Sequence, residues 1–477
     1  MDDAEAADEG VLSRIFQAVA ADAARFRSTI GGRPQRPERT YAQALAAFEA
    51  PAPETGEPAE TVIRDLQERA APGLHATTGP RFFGWVIGAS HPVGVAADWL
   101  AAAWGQNAGN HTAAPSAAAA EAVSARWLLD FLDLPRESSV GFVTGATVAN
   151  VVCLAAARGE VLRRSGWDVE RDGLFGAPPI HVLIGADAHT TVFSALQFLG
   201  LGHGRVIRIP ADDQGRMQPD ALRTALASCR GPTIVITQAG QINTGAFDDH
   251  AAIVRLAQDQ GAWVHVDGAF GLWARACPPL AHLGEGIELA DSWATDGHKW
   301  LQIPYDCGYA IVRNAEAHRR SMIIAASYLP GAGGDERDPS HYVPELSRRA
   351  RGFATWAMLS HLGRQGIARM VERHCAMARR LAGLLGREPG ITILNDVVLN
   401  QVIVRFGADE PSPAGDDLTL RTIRRIQDDG TLFAGGARWR GLWVMRMSVI
   451  SYGTTRSDIE RAAGAIIGAW RRIRPSS

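Results

Sequence analysis

The sequence predicts an α/β fold: a mainly parallel sheet with helices on both faces, a smaller C-terminal α+β lobe and an N-terminal helical arm. Three observations lead there. Short β-branched runs (His181 to Ile184, Arg205 to Ile209, Thr233 to Thr237, Ala262 to Val266, Tyr309 to Val312) alternate with helical segments, and such alternation requires crossover connections. At 477 residues the chain is too long for one small core. After a Gly/Pro-rich, charged break from Tyr328 to Glu345, helix resumes over Leu346 to Leu362, and two further strand-like runs follow, Val398 to Val404 and Trp443 to Ile450.

In chain order, residues 1–80 read as the arm, with helical segments on either side of a loop from Pro51 to Pro58 and an apolar face made by Ile63, Leu66 and Ala70. Residues 81–370 are assigned to the large domain and 371–477 to the small one. From Thr112 to Leu132 an alanine-rich run carries Val123, Trp127, Leu128, Phe131 and Leu132 at helical spacing, and Leu134-Pro135 stops it. Ser457-Asp458-Ile459-Glu460 predicts a capping-box start for the last helix.

Composition narrows the function. With 46% hydrophobic and 21% charged residues and a net charge of −3, the chain is globular and lacks the basic field that nucleic acid binding needs. Cys153, Cys229, Cys277, Cys307 and Cys375 are scattered, without metal-type spacing, which predicts buried thiols in a reduced, cytoplasmic protein. Met1-Asp2-Asp3-Ala4-Glu5 is acidic and unlike a secretory signal, and no apolar run reaches the ~20 residues of a membrane span.

In open parallel sheets, binding residues collect beyond the C-terminal strand ends. Asp267 ends the run Ala262 to Val266, and Lys299 follows in Asp296-Gly297-His298-Lys299-Trp300. A lysine amine holds an aldehyde as a Schiff base, while a buried carboxylate keeps a pyridine nitrogen protonated, so this pair points to pyridoxal 5′-phosphate. The turn Val143-Thr144-Gly145-Ala146-Thr147-Val148-Ala149-Asn150 fits its phosphate, because Gly145 and Ala146 admit close backbone approach at a helix start and Thr147 adds a hydroxyl. His189, after another strand, is placed to lay its imidazole on the ring. A zinc reading of His265, Asp267 and His298 leaves Lys299 unexplained, so no metal is expected. The cluster Gly200-Leu201-Gly202-His203-Gly204 precedes a strand and not a helix, which makes a poor dinucleotide site.

With these motifs in order, the sequence resembles the group II pyridoxal-phosphate-dependent decarboxylases, the family of aromatic amino acid, glutamate and diaminobutyrate decarboxylases. The likeness runs through Pro80-Arg81-Phe82-Phe83-Gly84-Trp85, Pro115 to Glu121, the Gly145 turn, His189, Asn243-Thr244-Gly245-Ala246-Phe247-Asp248, Val266-Asp267-Gly268-Ala269, Asp296 to Trp300 and Leu346-Ser347-Arg348-Arg349. It implies the aspartate-aminotransferase type of fold (fold type I) with a seven-stranded-type sheet, and a homodimer whose active sites lie at the interface. It also implies α-decarboxylation of an L-amino acid or amino-acid-like metabolite through an external aldimine and a quinonoid. By this resemblance Lys299 carries the cofactor, Asp267 pairs with the pyridine nitrogen, His189 stacks on the ring and Ala269 lies beneath it. Ala146, Thr147, Asp296 and His298 hold the phosphate or ring, and Arg348 or Arg349 approaches the phosphate. Phe83, Trp85, Asn110 and His111 are the candidate substrate contacts.

Three departures from the family pattern mark where the function opens out. Tyr342 stands closer to Arg348 than the loop tyrosine that protonates the substrate carbon in many relatives. If it is displaced from that role, oxygen-dependent deamination to an aldehyde becomes the alternative outcome. Gln106-Asn107-Ala108-Gly109-Asn110-His111-Thr112 is polar where aromatic-specific members are apolar. Gln241-Ile242 and Asp296 replace a threonine pair and an asparagine. An aminotransferase, with Arg446 holding a carboxylate, is the remaining rival on the same fold.

Overall fold

The computed structural model describes residues 9–323, 336–407 and 412–474. The part of the Gly/Pro-rich break from Tyr328 to residue 335 and the acidic N-terminal residues 1–5 lie outside the described residues.

Seven strands form the main sheet: β1 Ser139–Val143, β2 His181–Gly185, β3 Ile207–Ile209, β4 Thr233–Gln238, β5 Trp263–Asp267, β6 Ser292–Asp296 and β7 Gly308–Val312. Their order is β1-β7-β6-β5-β4-β2-β3. Every pairing from β6 through β3 is parallel, and only β7 runs against its neighbours β1 and β6. Strands β1, β2, β4, β5 and β6 therefore point their C-terminal ends the same way. Residues of β1, β4, β5, β6 and β7 are buried throughout, as befits a sheet covered on both faces.

The five expected strands of this sheet are present, each within two residues of its predicted start. Sequence reading missed β1 and β6, because neither has a β-branched run: Ser-Val-Gly-Phe-Val and Ser-Trp-Ala-Thr-Asp become strands through the neighbours they pair with. The buried indoles of Trp263, Trp273, Trp293 and Trp300 fill the core. Each spends its N–H on a partner: Ser292 Oγ, Asp296 O, Ile287 O and His374 Nδ1, at 2.9, 3.1, 2.8 and 3.0 Å. The ring burial, ~1.5–3 kcal/mol for a large apolar side chain, is thus not offset by a stranded donor.

The smaller sheet is antiparallel, β8 Ile391–Ile393, β9 Gln401–Phe406, β10 Gly435–Trp439 and β11 Leu442–Ser448, in the order β10-β11-β9-β8. No single residue separates the lobes. The helix Arg351–Leu385 runs through the boundary expected at 370, with a non-helical Gly363 inside it. Phe83 joins the small-domain core through backbone bonds to Phe433 and Ser448. That helix also starts at Arg351 and not near Leu346. The last helix, Arg456–Ile473, is capped by Thr455 with Asp458 at its third position, two residues before the predicted cap. The arm comprises the helices Glu9–Thr29, Tyr41–Phe48 and Ala59–Ala70. No described helix is long and apolar enough to cross a membrane.

Candidate active site

The C-terminal ends of β1, β2, β4, β5 and β6 surround a cavity of about 290 Å³, lined at its centre by Gly145, His189, Asp267, Ala269, Asp296 and Lys299. Parallel strands place these residues together although Gly145 and Lys299 are far apart in sequence.

Asp267 closes β5 and is buried; its Oδ1 accepts the Ala269 N–H at 3.2 Å. Burial pushes its carboxyl up to about 6, against the pull of the Lys299 ammonium. A carboxylate so poorly solvated favours a cationic N–H as its partner. At the end of β6, Asp296 ties three groups together. Its Oδ1 accepts the Ala146 N–H at 2.6 Å and lies 3.4 Å from His298 Nε2, while its Oδ2 is 2.9 Å from Lys299 Nζ. His298 is fixed from its other side, where Nδ1 accepts the Cys307 N–H at 3.2 Å.

His189 precedes the helix Thr190–Phe198 and caps it: Nδ1 accepts the Thr191 N–H and lies 2.8 Å from Thr191 Oγ1. An accepting Nδ1 puts the proton of the neutral ring on Nε2. Burial, with the Lys299 and Arg446 cations nearby, lowers its pKa to about 4, so the ring is neutral at pH 7.

These residues fit pyridoxal phosphate. At Gly145 a Cβ would come within 2.9 Å of His298 Cε1 and 3.2 Å of Asp296 Oδ1, so only glycine leaves the turn open. Behind it begins the helix Ala146–Arg164, whose first turn offers N–H groups beside the hydroxyls of Thr144 and Thr147. A lysine, a desolvated carboxylate and an anion-binding helix start are the donor set this cofactor needs.

Of the predicted residues, Ala146, Thr147, His189, Asp267, Ala269, Asp296, His298 and Lys299 line this one cavity. Six do not. The Arg348 guanidinium is consumed inside the chain by Glu121 at 2.6 Å and by the carbonyls of Ala108 and Phe142, which corrects its expected place beside the phosphate. Its neighbour Arg349 pairs with Asp98 at the surface. Phe83 is core, Trp85 leaves half its surface to solvent against His75, Phe82 and Phe433, and Asn110 caps a turn through the Ala113 N–H. His111 lies 2.7 Å from Asp338. Tyr342 packs on the β1 edge, with the Arg337 guanidinium 3.9 Å from its ring centroid and the His318 ring against it.

Thr191, Gln238, Gly240, Ile242 and Phe270 also line the cavity, and of these the sequence reading had singled out only Ile242, as a departure from the family pattern. Four of them sit at or just past the ends of β4 and β5, a signal that strand placement alone carried. Gln241 beside them is structural: its side-chain oxygen accepts the N–H groups of Asn243 and Thr244. In the zinc reading, His265 is engaged on both nitrogens, by Ser292 and Asn150, and among the described residues no group of three or more His, Cys, Asp or Glu is arranged to hold a metal.

Residues 41–406 match the pyridoxal-dependent decarboxylase conserved domain. The chain is 27% identical over 446 residues to a phenylacetaldehyde synthase of a Rosa hybrid cultivar, spanning 88% of this chain and 85% of that protein. It is 26% identical over 467 residues to the aromatic-L-amino-acid decarboxylase of Rattus norvegicus, spanning 94% of each. Its fold superposes on the crystal structure of Oryza sativa TDC with PLP and tryptamine with a TM-score of 0.90, at 22% identity over 98% of both chains.

Proposed function

Because the chain belongs to the pyridoxal-dependent decarboxylase family and is a pyridoxal-phosphate-dependent carboxy-lyase, we propose that it removes the α-carboxylate of an L-amino acid in the cavity at the C-terminal ends of β1, β2, β4, β5 and β6. The observation that carries this reading is the convergence of the desolvated Asp267 carboxylate and the Lys299 amine on one cavity.

When bound, the cofactor supplies an electron sink for the bond being broken at the substrate's α-carbon. The chain's own residues do the rest. Lys299 Nζ anchors the group, and Asp296, 2.9 Å away, orients that amine. Asp267 holds the proton of the pyridine nitrogen, a charge-assisted contact that its burial strengthens. His189 presents a neutral ring with an Nε2 proton, so it covers a cofactor face without adding a competing positive charge. Thr144, Thr147 and the first turn of the helix Ala146–Arg164 take the phosphate. Ile242, Ala269 and Phe270 give the cavity apolar walls that would exclude water from the bound cofactor.

The position of Tyr342 favours a second reading for the last step. Its ring is held by Arg337 and His318 outside the cavity of its own chain, so Tyr342 is not placed to protonate the substrate carbon there. Oxygen then competes for that carbon and the product is an aldehyde with ammonia; two relatives are named as aldehyde synthases. A mass-spectrometric screen of cofactor-loaded enzyme against amino acids, in air and under nitrogen, separates the readings. Amine and CO2 in both atmospheres indicate decarboxylation. Aldehyde, ammonia and hydrogen peroxide only in air indicate the oxidative route. Turnover that requires a keto acid and releases no CO2 sinks both.

The assembly belongs to the same reading. Leu100, Trp104 and Trp356 are exposed around an apolar groove of about 730 Å³, and the arm exposes Leu12 and Phe16. A second copy of the chain is the proposed occupant, giving a homodimer, which light scattering on the purified enzyme tests directly. The five cysteines, all buried and free, support a reducing cytoplasmic setting.

A further inference from the structure

The peptide that carries Lys299 lies in a turn, where no helix or sheet ladder satisfies its carbonyls. Gln302 does so. Its side-chain amide donates to the carbonyls of Lys299 and Trp300, each at 3.2 Å, and to that of Ile450, just past β11, at 2.8 Å. Its side-chain oxygen accepts the N–H groups of Ala89 at 2.9 Å and Tyr452 at 3.4 Å, and its backbone oxygen accepts the His91 N–H at 2.7 Å. The residue is wholly buried and sits at φ +60°, a left-handed conformation that a glutamine rarely adopts.

The strain is not isolated. Trp85, Val86 and Ser90 also have positive φ, at 54°, 59° and 47°, and between them Gly88 presses on the lysine peptide so closely that a Cβ would lie 2.2 Å from the His298 carbonyl oxygen and 2.3 Å from that of Lys299. From the arm, Arg27 donates to the carbonyls of Ala89 and Ser90 at 2.9 and 2.7 Å and to the Tyr452 hydroxyl at 3.2 Å. Through these bonds the arm holds the 85–91 segment that Gln302 contacts, and the small domain reaches the Gln302 side chain through Ile450 and Tyr452. Strain of this kind persists where surrounding structure over-determines it, and it clusters where geometry matters for function.

We infer that Gln302 is a positioning residue for Lys299: it fastens the lysine peptide to the 85–91 segment and to the end of β11, and so sets where Nζ meets the cofactor. Asp296 orients the amine end of the side chain, and Gln302 orients its backbone end. The inference rests on Lys299 being the cofactor lysine.

Gln302→Met keeps the length and volume of the side chain and removes all its hydrogen bonds. In the cofactor-loaded variant, the pH midpoint of the visible absorbance change should shift, and cofactor should be lost to a trapping apoenzyme roughly tenfold faster, as for other residues that orient a ligand-bearing side chain. The apparent KM should change less than kcat. Gln302→Asn, which tolerates positive φ but reaches fewer partners, serves if the methionine variant does not fold, and should move the same readouts in the same direction. A lower unfolding temperature with wild-type absorbance midpoint and release rate, in either soluble variant, overturns the inference and leaves Gln302 a scaffold residue. Lys299→Ala run in parallel separates the failures: if that variant keeps the wild-type absorbance, the assignment of the lysine itself is wrong.

Discussion

Asp296 Oδ2 lies 2.9 Å from Lys299 Nζ, one turn along the same segment, while the other carboxylate oxygen holds the first N–H of the helix Ala146–Arg164. One buried acid therefore fixes both the amine and the helix start that face the cavity.

Removing the amine is the most direct test of this arrangement. Lys299→Ala should lower turnover on the order of 10⁴-fold or more, the scale seen when a covalent participant is lost. It should also release the cofactor on gel filtration, which absorbance of the protein peak measures.

Asp267→Asn preserves shape but cannot hold a proton at a pyridine nitrogen. Turnover should fall by roughly 10²–10⁴-fold, with KM changed much less. Stability should not fall at neutral pH, because the native fold currently buries a carboxylate whose pKa burial raises to about 6. Steady-state kinetics and thermal unfolding of the same preparation check both halves.

Gly145→Ala should weaken cofactor binding, since the added Cβ meets His298 and Asp296 at 2.9 and 3.2 Å. Overpacking of this kind costs about 1–3 kcal/mol. A fluorescence titration of the apoenzyme with pyridoxal phosphate reads the loss.

Arg348 and Arg349 are adjacent yet should behave oppositely. Arg348 and Glu121 are each 1% exposed at 2.6 Å, so Arg348→Met strands a buried carboxylate and should cost ~3–5 kcal/mol in urea unfolding. Arg349→Ala cuts a surface pair with Asp98 and should cost ~0–1 kcal/mol. Cofactor affinity per folded molecule should be unchanged in the Arg348 variant, because that guanidinium faces Glu121 and not the cavity.

The protein should lose stability as the pH falls from 6.5 towards 4. Burial lowers the pKa of His189 and His91 to about 4 and of His250, His265, His318 and His374 to about 3, so the unfolded chain takes up protons near 6.5 that the fold excludes. The buried acids Glu121, Asp248, Asp267 and Asp291, with raised pKa, act in the opposite sense over this window. The histidines outnumber them and win. Unfolding temperature measured at intervals between pH 7 and 4.5 should decline, and a rise would contradict the balance.

What the sequence brought out by itself was a candidate set that the fold gathers at one cavity. Asp267 and His189 are legible because each follows a β-branched run, the Gly145 turn because small residues precede a helix start, and Lys299 because it stands in the motif Asp296 to Trp300. The five β-branched strands were legible for the same reason. Tertiary structure alone decided the rest. β1 and β6 exist by pairing, so no local run announces them. Arg348, Tyr342, Phe83 and His111 have side chains able to serve a site, but partners distant in sequence, Glu121, Arg337, the small-domain core and Asp338, engage them elsewhere. Gln302 shows the converse: nothing around it in sequence marks a polar residue as special, and its proposed role arises because the 85–91 segment, the lysine turn and the end of β11 bring backbone groups to one buried amide.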